Sequence, residues 1–151
     1  NTASYFQNYA FTCASYTFVA ADFVGRTCKP SGGPKAPYKI DFFDFPGGTW
    51  YWLKNYYSAS TAGESRLVFL SHFPLTRETW NGYCLFTPAE YSVIADFLHT
   101  RPLMTLWNAG HVHRNAVYPL TAKDGAAFAA VVETAASRET PMFRLIKVWN
   151  R

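Results

Sequence analysis

The chain has 151 residues, 49% hydrophobic and 16% charged, a make-up that excludes a disordered segment and fits one folded domain spanning 1–151. A net charge of +4 is scattered without any basic run, so there is no nucleic-acid footprint. No apolar stretch is long enough for a membrane span. The aromatic share of 19% implies a substantial core, with some rings left over for a pocket or an interface.

Residues 1–12 are polar and aromatic without a clear period. Residues 16–20 and 23–24 read as strand, 29–37 as a Pro/Gly loop and 38–42 as a short strand. Pro46-Gly47-Gly48 makes a turn, after which Thr49 opens a helix to about Tyr57 that carries Trp50, Trp52 and Leu53. Residues 58–65 form a small polar loop. The run 66–71 is the first strong strand, followed by an irregular segment, 76–86, with Trp80, Tyr83 and Phe86. Thr87-Pro88-Ala89-Glu90 is a helix start: a capping hydroxyl, a proline at the first helical position and a glutamate that completes a capping box. Tyr91, Ile94, Ala95 and Leu98 then keep to one helix face, and the helix ends near Thr100. Residues 103–107 are the next strand, and 108–115 a loop. Three strand-like runs follow, 116–120, 127–134 and 142–149, the first two joined by a hairpin turn ending in Asp124-Gly125.

Three of the four histidines follow two of these strands. His72 comes after Leu67-Val68-Phe69-Leu70, and His111 and His113 come after 103–107 in Gly110-His111-Val112-His113. Ligand groups in open α/β sheets collect at the carboxyl ends of strands, so two adjacent parallel strands would bring these histidines to one rim. Imidazole is a common ligand of Zn, Mn and Fe. On an extended segment the side chains of His111 and His113 face the same way, and Gly110 would let the chain turn sharply after the strand. Ordinary loop histidines are the plainer alternative. Carbonyls of the two loops, or Asn108, would orient the ligating rings.

Arg66–Leu75 (RLVFLSHFPL), the helix after it and Leu106–Asn115 (LWNAGHVHRN) resemble the last two motifs of the calcineurin-like metallophosphoesterases. There a strand ends in histidine, and a later one ends in Gly-His-x-His. The segment Gly47-Gly48-Thr49-Trp50-Tyr51-Trp52-Leu53 looks like that family's Gly…Trp-Leu helix. The resemblance covers roughly residues 15–150. It implies two divalent metal ions (Zn, Mn or Fe) that clamp a phosphate ester and activate a bridging hydroxide, with His72 and His111 on one ion and His113 on the other. It also implies an α/β fold: the C-terminal half of an αββα sandwich, a mixed sheet with flanking helices.

The family's upstream Asp-x-His, Gly-Asp-x-x-Asp and Gly-Asn-His motifs do not occur here, so no catalytic residue is identifiable in this chain. Asp22, Asp41 and Asp44 lack the surrounding residues and read as solvated or capping carboxylates. Half a sandwich leaves an apolar sheet face uncovered, from which a second chain carrying the N-terminal half of the domain is expected. The start at Asn1 suggests a processed product or a fragment, possible for a secreted protein, and the compartment stays open. Cys13, Cys28 and Cys84 form no Cys-x-x-Cys pair; a Cys13–Cys28 bridge and three buried thiols are both compatible with them. His99, at a helix end, reads as a dipole partner, and Arg114 as a surface arginine within reach of a phosphate. Two other functions compete with a phosphoesterase: a non-catalytic remnant or binding module retaining the fold, and a structural three-histidine site.

Overall fold

A computed structural model describes residues 8–25, 39–40, 42–59, 66–77, 85–100, 104–135 and 145–146. Six strands form one mixed sheet: β1 (Tyr9–Cys13), β2 (Tyr16–Ala20), β5 (Arg66–Leu70), β6 (Met104–Ala109), β7 (Ala116–Thr121) and β8 (Ala127–Glu133). Their order is β1-β2-β5-β6-β8-β7. The four inner strands run parallel, and each edge strand is antiparallel to its neighbour. The fold is α/β with a mixed sheet, as expected. A separate two-stranded ribbon pairs β3 (Val24–Gly25) with β4 (Lys39–Ile40).

Helices α1 (Thr49–Ala59) and α2 (Pro88–His99) connect successive parallel strands. Both pack on the same sheet face, as crossovers of one hand require. Trp50 and Leu53 of α1, and Tyr91, Ile94, Ala95 and Leu98 of α2, share a core with Val19, Leu67, Phe69, Trp107 and Val131 of the sheet. Burying an aliphatic or phenyl side chain of this kind contributes about 1.5–3 kcal/mol. The capping box is formed: Glu90 N donates to Thr87 Oγ1 at 3.3 Å, and Thr87 N donates to Glu90 Oε2 at 2.7 Å. Ahead of α1 the chain is tight against itself. A β-carbon on Gly48 would stand 1.9 Å from the Phe43 carbonyl oxygen, so only glycine fits.

On the opposite face Tyr16, Val68, Leu106 and Val132 form a smaller buried cluster. Toward the edges of that face Tyr9, Phe11 and Val117 are exposed at 53%, 47% and 62%, so its apolar surface continues into solvent.

Several sequence expectations need correction. Residues 9–13, read without periodicity, form β1. Four of its five residues are exposed, so no alternation marks it. Helix α1 continues through Ala59, taking the first residues assigned to a loop. Strand β6 extends through Asn108 and Ala109, because β8 supplies partners for both. The strand foreseen over 142–149 lies outside the described residues except Leu145 and Ile146, which are exposed and not in strand. Cys13 is a free, exposed thiol, not a buried one. Cys28, Cys84, Asp41, Trp80 and Tyr83 lie outside the described residues.

Candidate metal centre at the sheet rim

The carboxyl ends of β2, β5, β6 and β8 define one rim. Along it stand Asp22, His72, His111 with His113, and Glu133. Main-chain hydrogen bonds clip the loops together: Ser71 N donates to Asn108 O at 3.0 Å, and Gly110 N to His72 O at 3.2 Å. After His72 the chain dives inward. Phe73 and Leu75 are fully buried, and Trp107 Nε1 donates to Phe73 O at 2.9 Å. The apolar segment Phe73-Pro74-Leu75 is thus a plug that leaves His72 at the rim.

The second histidine loop is not extended. His111 and His113 have φ of 70° and 53°, both left-handed. Val112 N donates to Gly110 O at 2.9 Å across His111, the hydrogen bond of a γ-turn; a positive φ at its centre is the rare, strained form. The sharp turn is therefore made at the histidines. Gly110 has no positive φ, and a β-carbon there would meet only an ordinary contact. The same-side geometry expected for an extended His-x-His does not apply. Val112, between the two histidines in sequence, is buried at 6%.

These turns bring His111 and His72 together. His111 Nδ1 lies 3.0 Å from His72 Nε2, with ring centroids 4.9 Å apart and planes at 71°. Phe73 packs edge-on against both rings. Two imidazoles bound to one ion at ~2.0–2.1 Å, in neighbouring coordination positions, hold their nitrogens roughly 2.9–3.4 Å apart, the longer value being tetrahedral. The observed pair, joined by a ring-to-ring hydrogen bond, has a separation within that range. His113 is exposed and acts electrostatically on His72. Among the described residues no group of three His, Cys, Asp or Glu side chains is placed to hold a metal ion.

Partial burial pushes the His72 pKa below its ordinary value of 6.5; Asp22 opposes this and His113 adds to it. His72 is consequently neutral at pH 7, the form that ligates metals. Asp22 does act as a cap, as read: its Oδ1 accepts from Val24 N at 3.1 Å. It also lines, with Tyr9, Ser71 and His72, an open cleft of about 360 Å³ beside the histidine pair. Asp44 is a surface carboxylate paired with Lys54 at 2.7 Å. His99 is exposed at the end of α2, its ring against Phe128. Asn108 sits within β6, where its carbonyl oxygen receives Ser71 N.

The sequence reading missed Glu133. Its side chain is fully buried at the end of β8. Arg114 binds it through Nε and, at 3.2 Å, through Nη2. Tyr118 Oη donates to Glu133 Oε1 at 2.5 Å. Burial, then the carboxylate, holds the Tyr118 phenol far above its ordinary pKa, so it stays a donor. Arg114, read as a surface arginine, is mostly committed to this carboxylate. The available signal was a glutamate closing the apolar run Val131-Val132-Glu133: a buried charge is tolerated only when paired.

No family model matches the chain, and no curated protein matches it. Among solved structures, it is similar to a dimetal phosphatase from Danio rerio, with 15% identity and a TM-score of 0.52. The likeness covers 85% of this chain and 49% of the phosphatase chain, so the chain spans about half that protein's length. At this identity the comparison establishes a shared α/β fold. No helix among the described residues is long and apolar enough to cross a membrane.

Proposed function

We propose that this chain carries the histidine half of a metal-dependent phosphoesterase. The observation that carries the reading is the His72–His111 pair, whose nitrogens stand 3.0 Å apart at the strand ends where α/β sheets bind ligands. The fold shared with a dimetal phosphatase supports it. In this reading His72 and His111 hold one divalent ion, Zn, Mn or Fe, and His113 belongs to a second. Bound ions of this kind polarise a phosphoryl oxygen and supply hydroxide at neutral pH. The chain's own contribution is to keep His72 neutral and to seat both rings against Phe73. The substrate is a phosphate mono- or diester. The remaining ligands and the proton donor come from outside these residues, and we assign them to a second chain or segment that packs on the open sheet face.

The absence of a three-donor group among the described residues favours one alternative, a non-catalytic module that keeps the fold and binds one ion weakly. Calorimetric titration with Zn²⁺ or Mn²⁺ separates these from no site at all. The proposed reading expects one ion bound, weakened at least 10-fold by His72→Ala and by His111→Ala. Wild-type protein that takes up no metal, or alanine variants that bind as well as wild type, would overturn it. Phosphatase activity that appears only when the proposed second chain or segment is supplied would decide against the module.

A further inference from the structure

We propose that Glu133 is a positioning residue for the histidine site, and that its buried carboxylate holds both histidine loops in register. The inference rests on the metal-site reading above and goes beyond it by assigning a role to groups that touch no metal.

Glu133 sits at the carboxyl end of β8, with no exposed surface, paired in register with Ala109 of β6 on one side and Ala116 of β7 on the other. Those two residues bracket the loop that contains His111 and His113. The carboxylate engages Arg114, the residue directly after His113, through two guanidinium nitrogens. A side chain bound in this forked way fixes direction as well as distance. The other arm runs through Tyr118. Its hydroxyl donates to Glu133 Oε1 and also hydrogen-bonds the side chain of Thr76. Thr76 is buried at 3% and lies four residues after His72. The Arg114 guanidinium packs over the Tyr118 ring at 5.6 Å, which closes the group on itself. One carboxylate thus connects to the His72 loop by way of Tyr118 and Thr76, and to the His111–His113 loop by way of Arg114.

Burying an ion pair in this position is hard to justify on stability alone, since an apolar replacement of similar volume is often as stable or more so. Registry is the better-attested use of such groups. Here registry has a target. His111 and His113 are held at left-handed φ, and such strained positions persist only when the surroundings over-determine them. The two histidine loops also have to keep a 3.0 Å nitrogen separation between side chains that are 39 residues apart. Groups behind metal ligands commonly shift metal affinity 10–100-fold when removed.

The test is Glu133→Gln, which keeps the shape and removes the charge, measured two ways. Amide and imidazole NMR of the metal-free protein should shift at 72–76 and at 111–114 together, while α2 stays in place. Zn²⁺ affinity by calorimetry should fall 10–100-fold. Shifts confined to β7 and β8, with both histidine loops and Zn²⁺ affinity unchanged, would overturn the proposal. Should wild type bind no Zn²⁺, the functional reading fails, and the metal-free spectra still decide whether Glu133 governs the loops. Should Glu133→Gln not fold, Tyr118→Phe removes only the hydroxyl that reaches Glu133 and Thr76. It should shift the 72–76 loop, and a spectrum identical to wild type in that loop would again overturn the proposal.

Discussion

His111 carries two burdens, a ring nitrogen proposed as a metal ligand and a backbone conformation that non-glycine residues avoid. With φ at 70°, the left-handed position costs an L-residue roughly 1–2 kcal/mol. Glycine escapes that penalty, although it loses some backbone entropy. His111→Gly and His111→Ala both delete the imidazole, but only the alanine keeps the strain. The glycine variant should therefore be the more stable of the two by about 1 kcal/mol in urea unfolding, while both lose metal affinity alike. Equal stabilities would mean that the turn relaxes when the ring is gone.

His72 offers a second residue-scale prediction. Its folded pKa lies below the ordinary 6.5, with Asp22 pulling it upward. As pH falls, the unfolded chain takes up this proton before the folded one does. The folded state therefore loses stability as pH drops from 6.5 toward the folded pKa, and regains it as pH rises. Asp22→Asn keeps an oxygen for the Val24 cap and removes the charge. In the metal-free protein it should move the His72 titration to still lower pH, followed by NMR of the ring. An unmoved titration would separate Asp22 from the histidine pair.

At the scale of elements, α2 sets the spacing between the two histidine strands, since it is the crossover from β5 to β6. Its start is pinned by the Thr87–Glu90 capping box, and its buried face by the core under Trp107. Thr87→Ala should cost about 1 kcal/mol of stability, read as a lower thermal midpoint, with Zn²⁺ affinity unchanged because the main-chain bonds from Ser71 N to Asn108 O and from Gly110 N to His72 O hold the rim without the cap. A large loss of affinity would mean that helix position feeds directly into the site. The capping box, the 3.6-residue face of α2 and the apolar runs of β2, β5, β6 and β8 were legible in the sequence because each is a short-range pattern with its own physical cause. Strand β1 was not. Its residues are mostly exposed and it exists because β2 offers an edge to pair with.

At the scale of the whole molecule, one sheet face is covered by two helices, and the other carries exposed Tyr9, Phe11 and Val117 around a small buried cluster. Exposed apolar area of this kind commonly marks an interface, and the chain spans 49% of the dimetal phosphatase it resembles in fold. The proposed second chain or segment would cover that face and bring the missing ligands to the rim. Native mass spectrometry should then show a heteromeric species carrying two divalent ions when the proposed second chain or segment is co-expressed. A 17.1 kDa species that stays alone in its presence would argue against the partner.

The alternation of strand and helix through the middle of the chain, the capped start of α2, and the placement of His72 and His111 after two strands were all written in local sequence. Those follow from periodicity, propensity and spacing, which act between near neighbours. Tertiary structure alone decided that β5 and β6 are adjacent and parallel, which sets two nitrogens from residues 39 apart at 3.0 Å. It also decided that His111 and His113 turn the chain in place of Gly110, and that Glu133 is buried with Arg114 and Tyr118 as its partners. Long-range pairing chooses among many locally equivalent arrangements, and a buried charge finds its partner only after the chain has brought it there.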